Sequence, residues 1–92
     1  MIASFRNRSL KRYWMLGDEA AIRPDWRPKV RLVLSRLDVA TRPSEMDIPG
    51  FGFHALRGFR PTRYAITVSR NWRITFAFDG EDAVDVDLED YH

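Results

Sequence analysis

Cysteine is absent from this sequence of 92 residues, which excludes disulfide bonds and metal sites built on thiolates. No apolar run approaches the ~20 residues of a membrane-spanning helix. Residues 1–8 also lack the apolar stretch of a signal peptide, so we expect a cytoplasmic protein with no membrane partner. Because hydrophobic residues make up 45% of the chain, we expect one packed domain over residues 1–92.

Glycine-rich phosphate loops are also missing, so nucleotide hydrolysis is not indicated. The two histidines, His54 and His92, are far apart in sequence and form no His-x-x-x-His motif. We therefore expect neither a metal site nor a cofactor. Composition leaves a Ser-His-Asp arrangement open, but no nucleophile elbow is present.

Lysine is scarce, and arginine supplies all but two of the 15 basic residues. All 15 lie within residues 1–73 together with six acids, whereas the other seven acids lie within residues 79–90. The planar guanidinium group suits phosphates and nucleic-acid bases. This separation of charge favours a polyanionic partner, although a solvated surface with internal ion pairs explains it equally well.

Two helices are predicted in the first half of the chain. The first begins near Arg8 after Asn7 or Ser4 as a cap, and Gly17 ends it. The second begins near Pro24-Asp25 and ends before Pro43. Their buried stripes, spaced by three and four residues, are Leu10, Tyr13 and Trp14 in the first helix and Trp26, Val30, Val33, Leu34 and Leu37 in the second.

Alternating apolar residues predict strands over 51–56, 63–69, 72–78 and 84–89, with a basic loop at 57–62. Residues 2–5 are a short candidate strand that could join the sheet. We expect an α+β fold in which two N-terminal helices pack on a mostly antiparallel sheet of four to five strands. The sets expected to face the helices are Tyr64, Ile66 and Val68, then Trp72, Ile74 and Phe76, then Val84, Val86 and Leu88. Arg73, Thr75 and Thr67 are expected on the other face, together with the acids of the last strand, Asp85, Asp87 and Glu89.

The residues that could carry chemistry have structural explanations when taken singly. A histidine in an apolar segment, such as His54, is more often structural. Arg73 could pair with Asp85 or Asp87 across a hairpin, and Tyr91 could anchor the core. As a set, two imidazoles, a tyrosine, an acid and an arginine-rich loop suit RNA cleavage without a metal. That reaction removes a proton from the 2′-hydroxyl, protonates the 5′ oxygen and needs cations around the phosphorane.

Several short motifs together carry a resemblance to a known family. They are Met1-Ile2-x-Ser4-Phe5-Arg6, Gly17-Asp18, Leu56-x-Gly58, Asn71-Trp72-Arg73-Ile74-Thr75-Phe76 and Glu89-Asp90-Tyr91-His92. With them, the chain resembles over its full length the HigB-type toxins, the plasmid maintenance system killer branch of the RelE/ParE superfamily of toxin–antitoxin modules. The family's His-Pro-Leu-Lys-Gly is similar to His54-Ala55-Leu56-Arg57-Gly58 here.

The resemblance implies the small RelE-like fold and a ribosome-dependent endoribonuclease that cuts mRNA in the A site of the 30S decoding region. It also implies a partner, a helix-turn-helix antitoxin of the HigA type. The toxin itself would contact operator DNA only indirectly, through this antitoxin. The positions it implies as catalytic are His54, Arg73, Asp90, Tyr91 and His92, with Arg73 as the phosphate ligand. Substrate contacts are expected at Arg57, Asn71 and, from the basic loop, Arg60.

The expected mechanism is in-line attack of the mRNA 2′-hydroxyl on the adjacent phosphate, with His54 and His92 as proton carriers in either order. Two other functions stay open at this point. One is a ParE-like gyrase inhibitor with the same fold, and the other is a non-catalytic module that binds RNA or the ribosome through its arginines. A purely structural domain is the least favoured alternative.

Overall fold

The computed structural model describes residues 1–91. Two helices, α1 (Arg8–Leu16) and α2 (Arg27–Val39), precede four strands. These are β1 (His54–Leu56), β2 (Arg63–Thr67), β3 (Trp72–Asp79) and β4 (Asp82–Asp90). They form one antiparallel sheet in chain order, and Ile2 and Phe5 make parallel bridges to β4. The expected α+β fold, with four to five mostly antiparallel strands, is confirmed.

Helix α1 begins and ends where its sequence predicts. The Asn7 side chain accepts a hydrogen bond of 2.8 Å from the backbone N–H of Leu10, which satisfies a donor that the first turn leaves without a partner. At the other end Gly17 adopts a left-handed conformation with φ of 68°, and its N–H returns to the Tyr13 carbonyl. Ser4, the other candidate cap, instead accepts a hydrogen bond from the backbone N–H of Asp85.

Helix α2 supplies much of the core, and a short 3₁₀ turn at Pro24–Trp26 leads into it. Its buried stripe matches the predicted residues Trp26, Val30, Val33, Leu34 and Leu37. These side chains pack with Leu10, Ile66, Ile74 and Phe76 against one face of the sheet, which we call the helix face. Within residues 1–91 no helix is long and apolar enough to cross a bilayer.

The opposite side of the sheet, called the open face below, carries the polar residues. The strand register assigns to it His54 and Leu56 from β1, Arg63, Ala65 and Thr67 from β2, Arg73, Thr75 and Ala77 from β3, and Val84, Asp87 and Glu89 from β4. The middle of this face is shielded from solvent, because Arg63, Ala65, Thr75 and Ala77 are all buried.

The prediction that Val84 faces the helices is wrong. Thr75 pairs with Asp87 whereas Ala77 pairs with Val84, so β4 carries an extra residue between these pairs. Asp85, within this bulge, has a φ of 52°. The inserted residue reverses the alternation, and Ala83 rather than Val84 joins the core beside Val86.

The first strand is shorter than the predicted span of 51–56. Only His54–Leu56 pairs with β2 as a strand, while Phe51 is a buried core residue ahead of it. Gly52 interrupts the strand with a φ of 59°. A Cβ atom on Gly52 would lie 2.7 Å from the Thr67 hydroxyl, so both its conformation and its surroundings require glycine.

Candidate active site on the open face

Arg73 occupies the end of β3 on the open face, opposite Thr67 on one side and Glu89 on the other. Its Nη1 donates hydrogen bonds to the carbonyl oxygens of Ser69 at 3.0 Å, Trp72 at 3.2 Å and Arg70 at 3.3 Å. The guanidinium is therefore held against the turn between β2 and β3. This arrangement replaces the ion pair with Asp85 or Asp87 that the sequence left open.

Tyr91 lies beside Arg73, since the Arg73 guanidinium carbon is 5.5 Å from the centroid of the tyrosine ring. The Tyr91 backbone N–H donates a hydrogen bond of 2.5 Å to the carbonyl of Asn71. This bond ties the residue after β4 to the same turn that holds Arg73. The structure thus brings together Asn71, Arg73 and Tyr91, which the sequence predicted as site residues.

Asp90 ends β4, where it pairs in register with Trp72. Because paired residues share a face, this register assigns Asp90 to the side of Trp72 and Glu89 to the open face with Arg73. His92, predicted as a catalytic residue, lies outside the described residues.

His54 is exposed on the edge strand β1, not buried as a structural histidine would be. Its Nδ1 lies 2.9 Å from the carbonyl oxygen of Gly52. A carbonyl can only accept, so Nδ1 carries the proton of the neutral ring. Nε2 is then left as the acceptor that could take a proton from a substrate.

His54 and Arg73 share the open face but do not touch. His54 pairs with Ala65 on β2. Arg73 lies on β3, on the other side of β2, and pairs with Thr67, two residues after Ala65. Strand geometry separates their Cα atoms by about 12 Å. Between them on β2 lie Ala65, which is fully buried, and Thr67, which is half-buried.

A buried polar chain on the same face was missed from the sequence. The Nη2 of Arg63 donates to the Thr75 hydroxyl at 2.9 Å and to the Asp85 carbonyl at 2.8 Å. The Thr75 hydroxyl donates in turn to the carboxylate of Glu89. Desolvation by burial lowers the pKa of Arg63, as does the nearby Arg6, while Glu89, Asp87 and Asp85 oppose this shift.

The sequence contains one signal for this buried polar chain of Arg63, Thr75 and Glu89. Strand alternation alone groups Arg63 with Thr67 and groups Thr75 with Arg73. The missing information was the register between strands, which joins the two groups and adds Glu89.

Arg57 and Arg60 lie in the loop between β1 and β2, and both are exposed. This loop enters β2 at Arg63, whereas Arg73 pairs with the last residue of β2, Thr67. The point where the loop enters β2 is therefore about 13 Å from the Arg73 end of the strand, and the two predicted substrate contacts do not join the group around Arg73. Within residues 1–91 no three histidine or acidic side chains are grouped so that they could hold a metal ion.

The family of this chain follows from comparison with known proteins. The model of the HigB-like toxins, described as the RelE-like toxin of the type II toxin–antitoxin system HigB, matches residues 3–92. The chain belongs to this family. As a HigB-like toxin of a type II system, it has a protein antitoxin as its partner.

A named relative of this HigB-like toxin is the Endoribonuclease HigB of Proteus vulgaris. The two sequences are 35% identical over 92 residues, and the alignment covers the whole of both chains. The resemblance first carried by the motifs is therefore confirmed over the full length.

Proposed function

We propose that this HigB-like toxin is an endoribonuclease that cleaves mRNA on the ribosome without a metal ion and so stops translation. The relative named Endoribonuclease HigB supports the reaction class. The observation that carries the proposal is the sharing of one sheet face by His54, Arg73 and Glu89, with Tyr91 packed beside Arg73. His54 and Arg73 supply a proton carrier and a cation, two of the groups that phosphodiester cleavage by a 2′-hydroxyl requires.

In the proposed reaction the mRNA 2′-hydroxyl attacks the adjacent phosphorus. The P–O2′ bond forms as the P–O5′ bond breaks, which leaves a 2′,3′-cyclic phosphate or, after hydrolysis, its 3′-phosphate. A base takes the 2′-hydroxyl proton and an acid returns one to the 5′ oxygen. His54 and His92 are the proton carriers, and Nε2 of His54 is available for this role.

Arg73 binds the non-bridging phosphate oxygens and stabilises the charge that develops on the phosphorane. The bonds from its Nη1 to the turn carbonyls fix its orientation before the substrate arrives. Tyr91 stacks against this guanidinium or positions the ribose. Asp90, on the Trp72 side of the sheet, is the last residue of β4 and adjoins Tyr91 in sequence, and it accepts a proton or orients an imidazole at this end of the strand. Arg57, Arg60 and Asn71 contact the RNA strand on either side.

The ribosome and a helix-turn-helix antitoxin of the HigA type complete the proposal. His54 and Tyr91 are exposed, so the open face does not enclose its substrate and depends on a second macromolecule to hold the mRNA in line for attack. In this proposal the 30S decoding site holds the mRNA by presenting the A-site codon. Cleavage there places the toxin's action in the cytoplasm, and operator DNA is reached only through the antitoxin.

The test is to map mRNA 5′ ends after brief induction of wild-type toxin, His54→Ala and the matched control Arg36→Ala on the outer surface of α2. New 5′ ends within translated codons should appear for wild type and control and be lost in His54→Ala. Unchanged 5′ ends with wild type would overturn the proposal. Loss of DNA supercoiling before protein synthesis would instead indicate a gyrase inhibitor.

A further inference from the structure

The end of the open face away from Arg73 holds a small cavity of about 60 Å³. Three arginines line it, Arg6 after the N-terminal segment, Arg60 from the loop and Arg63 from β2, together with Phe59 and Asp85. Arginine clusters of this kind suit the oxygens of a phosphate group.

Arg63, one of the residues that line this cavity, has an unmet hydrogen-bonding requirement. Its exposed fraction is only 4%, and its Nη2 is used by Thr75 and the Asp85 carbonyl. Its Nη1 is buried and has no hydrogen-bond partner among residues 1–91. A buried charged donor without an acceptor is costly, and the lowered pKa of Arg63 reflects the same desolvation. An anion in the cavity would provide the acceptor.

The charge around the cavity favours an anion. The Asp85 carboxylate lies 3.8 Å from Arg6 and offsets one guanidinium. Towards Arg63, Asp85 presents its backbone carbonyl. Three guanidinium groups and one carboxylate line the cavity, while Asp87 lies one row further along the sheet, opposite Thr75. The Glu89 carboxylate is joined to Arg63 only through the Thr75 hydroxyl.

An exposed aromatic ring adjoins these arginines. Phe59 is 48% exposed and belongs to the walls of both the small cavity and an open depression of about 520 Å³ formed with Gly58, Arg60 and Thr62. Burying the ring against a flat ligand would remove this apolar surface from water. A phosphate-binding cavity next to an exposed ring matches the two parts of a nucleotide.

We infer that this end of the open face is a second nucleotide subsite, with a phosphate held by Arg6, Arg60 and Arg63 and its base stacked on Phe59. Arg63 pairs with Ala77 on β3. Ala77 is four residues from Arg73, which corresponds to about 13 Å along the strand. The phosphate bound here is therefore a different one from the scissile phosphate of the same RNA strand. The inference rests on the proposed function in that both require single-stranded RNA on this face.

The experiment measures binding of a short fluorescent single-stranded RNA with 2′-O-methyl riboses, which cannot be cleaved because the nucleophile is blocked. Fluorescence anisotropy across a salt series gives affinity and salt dependence for wild type, Phe59→Ala, Phe59→Trp, Arg60→Gln and Arg63→Met. Arg36→Gln is the matched control, since Arg36 is an exposed arginine on α2. Phe59 and Arg60 are exposed, so their variants remain informative if Arg63→Met does not fold.

We expect Phe59→Ala to weaken binding about fivefold or more and Phe59→Trp to restore it, because stacking needs only an aromatic face. Arg60→Gln and Arg63→Met should each lower the slope of log affinity against log salt by about 0.7, the value for one phosphate contact on a single strand. Arg36→Gln should leave the slope unchanged.

Equal affinity and slope for wild type, Phe59→Ala and Arg60→Gln would overturn the subsite, as would no binding of this RNA by wild type. Equal binding of a polyglutamate peptide with the same Phe59 dependence would also overturn it, in favour of an acidic protein partner. Binding that depends on Phe59 and Arg60 in a protein that generates no new mRNA 5′ ends would support the subsite while rejecting the proposed nuclease function.

Discussion

The guanidinium carbon of Arg73 lies 5.5 Å from the centre of the Tyr91 ring, while Nη1 of the same guanidinium is fixed by the carbonyls of Ser69, Arg70 and Trp72. One planar cation is thus held between a turn and an aromatic residue that follows the last strand. Tyr91 is itself held to that turn by its bond to Asn71. The arrangement sets the orientation of the proposed phosphate ligand.

Replacement of Arg73 should strongly impair cleavage. Arg73→Ala removes the cation that stabilises the phosphorane, and the rate of mRNA cleavage on ribosomes should fall about 10²–10³-fold. Arg73→Lys keeps the charge but loses the planar fork, so it should recover only part of the rate. Full activity of Arg73→Lys would show that a point charge is sufficient.

Tyr91 tests whether the ring or the hydroxyl matters. If stacking on Arg73 is its contribution, Tyr91→Phe should cleave at nearly the wild-type rate, and Tyr91→Ala should lose about two- to fivefold, as expected for a cation–π contact of ~0.5–1 kcal/mol. Single-turnover cleavage on programmed ribosomes measures both. Equal defects in the two variants would assign the role to the hydroxyl.

His92 should act in the same reaction as His54. General acid–base catalysis contributes about 10²–10⁴ in rate, so His92→Ala should relieve toxicity and lower cleavage within that range. Thermal unfolding of the variant should match wild type if only chemistry is lost. Undiminished killing by a folded His92→Ala protein would remove this histidine from the mechanism.

Thr75 should be important for stability because its hydroxyl joins Arg63 to Glu89 in the buried chain. Thr75→Val keeps the shape but leaves buried polar groups without partners, which should lower the free energy of unfolding by about 1–3 kcal/mol. Thr67→Val, at a half-buried position on the same face, is the control for urea denaturation. Equal unfolding midpoints for the two variants would contradict a structural role for the chain.

Glu45 should make stability sensitive to acid. Hydrogen bonds from the Thr41 backbone at 2.6 Å and from its hydroxyl at 3.1 Å lower the pKa of Glu45 below its ordinary value of 4.5. A lowered pKa gives a contribution that is complete above the unfolded-state value and is lost as pH falls through the folded-state value. Glu45→Gln should therefore be less stable than wild type at neutral pH.

The stability difference between wild type and Glu45→Gln should shrink as pH falls below 4.5. Urea denaturation across this pH range measures it, with Glu81→Gln in the turn between β3 and β4 as the control. A constant difference across the range would mean that ionisation of Glu45 does not contribute.

The helices and the two faces of β2 and β3 were predictable because their signals are local. Asn7 and Gly17 act on neighbouring backbone groups, and the stripe of α2 follows from its own helical period. For the site, alternation predicted that Arg73 leaves the core, and the motif containing Asn71 placed it near Arg73. The closeness of Tyr91 to Asn71 agrees with the grouping that the resemblance implied.

The sequence by itself determined which side chains each helix and each strand without a bulge offers to its two sides, because periodicity depends only on neighbouring residues. Tertiary structure decided how those sides meet. The bulge at Asp85 is held by Ser4, 81 residues away, and by Arg63, 22 residues away, so no local pattern could place it. That bulge moves Ala83 into the core, and the register around it joins Arg63, Thr75 and Glu89. Such long-range hydrogen bonds exist only once the chain has folded.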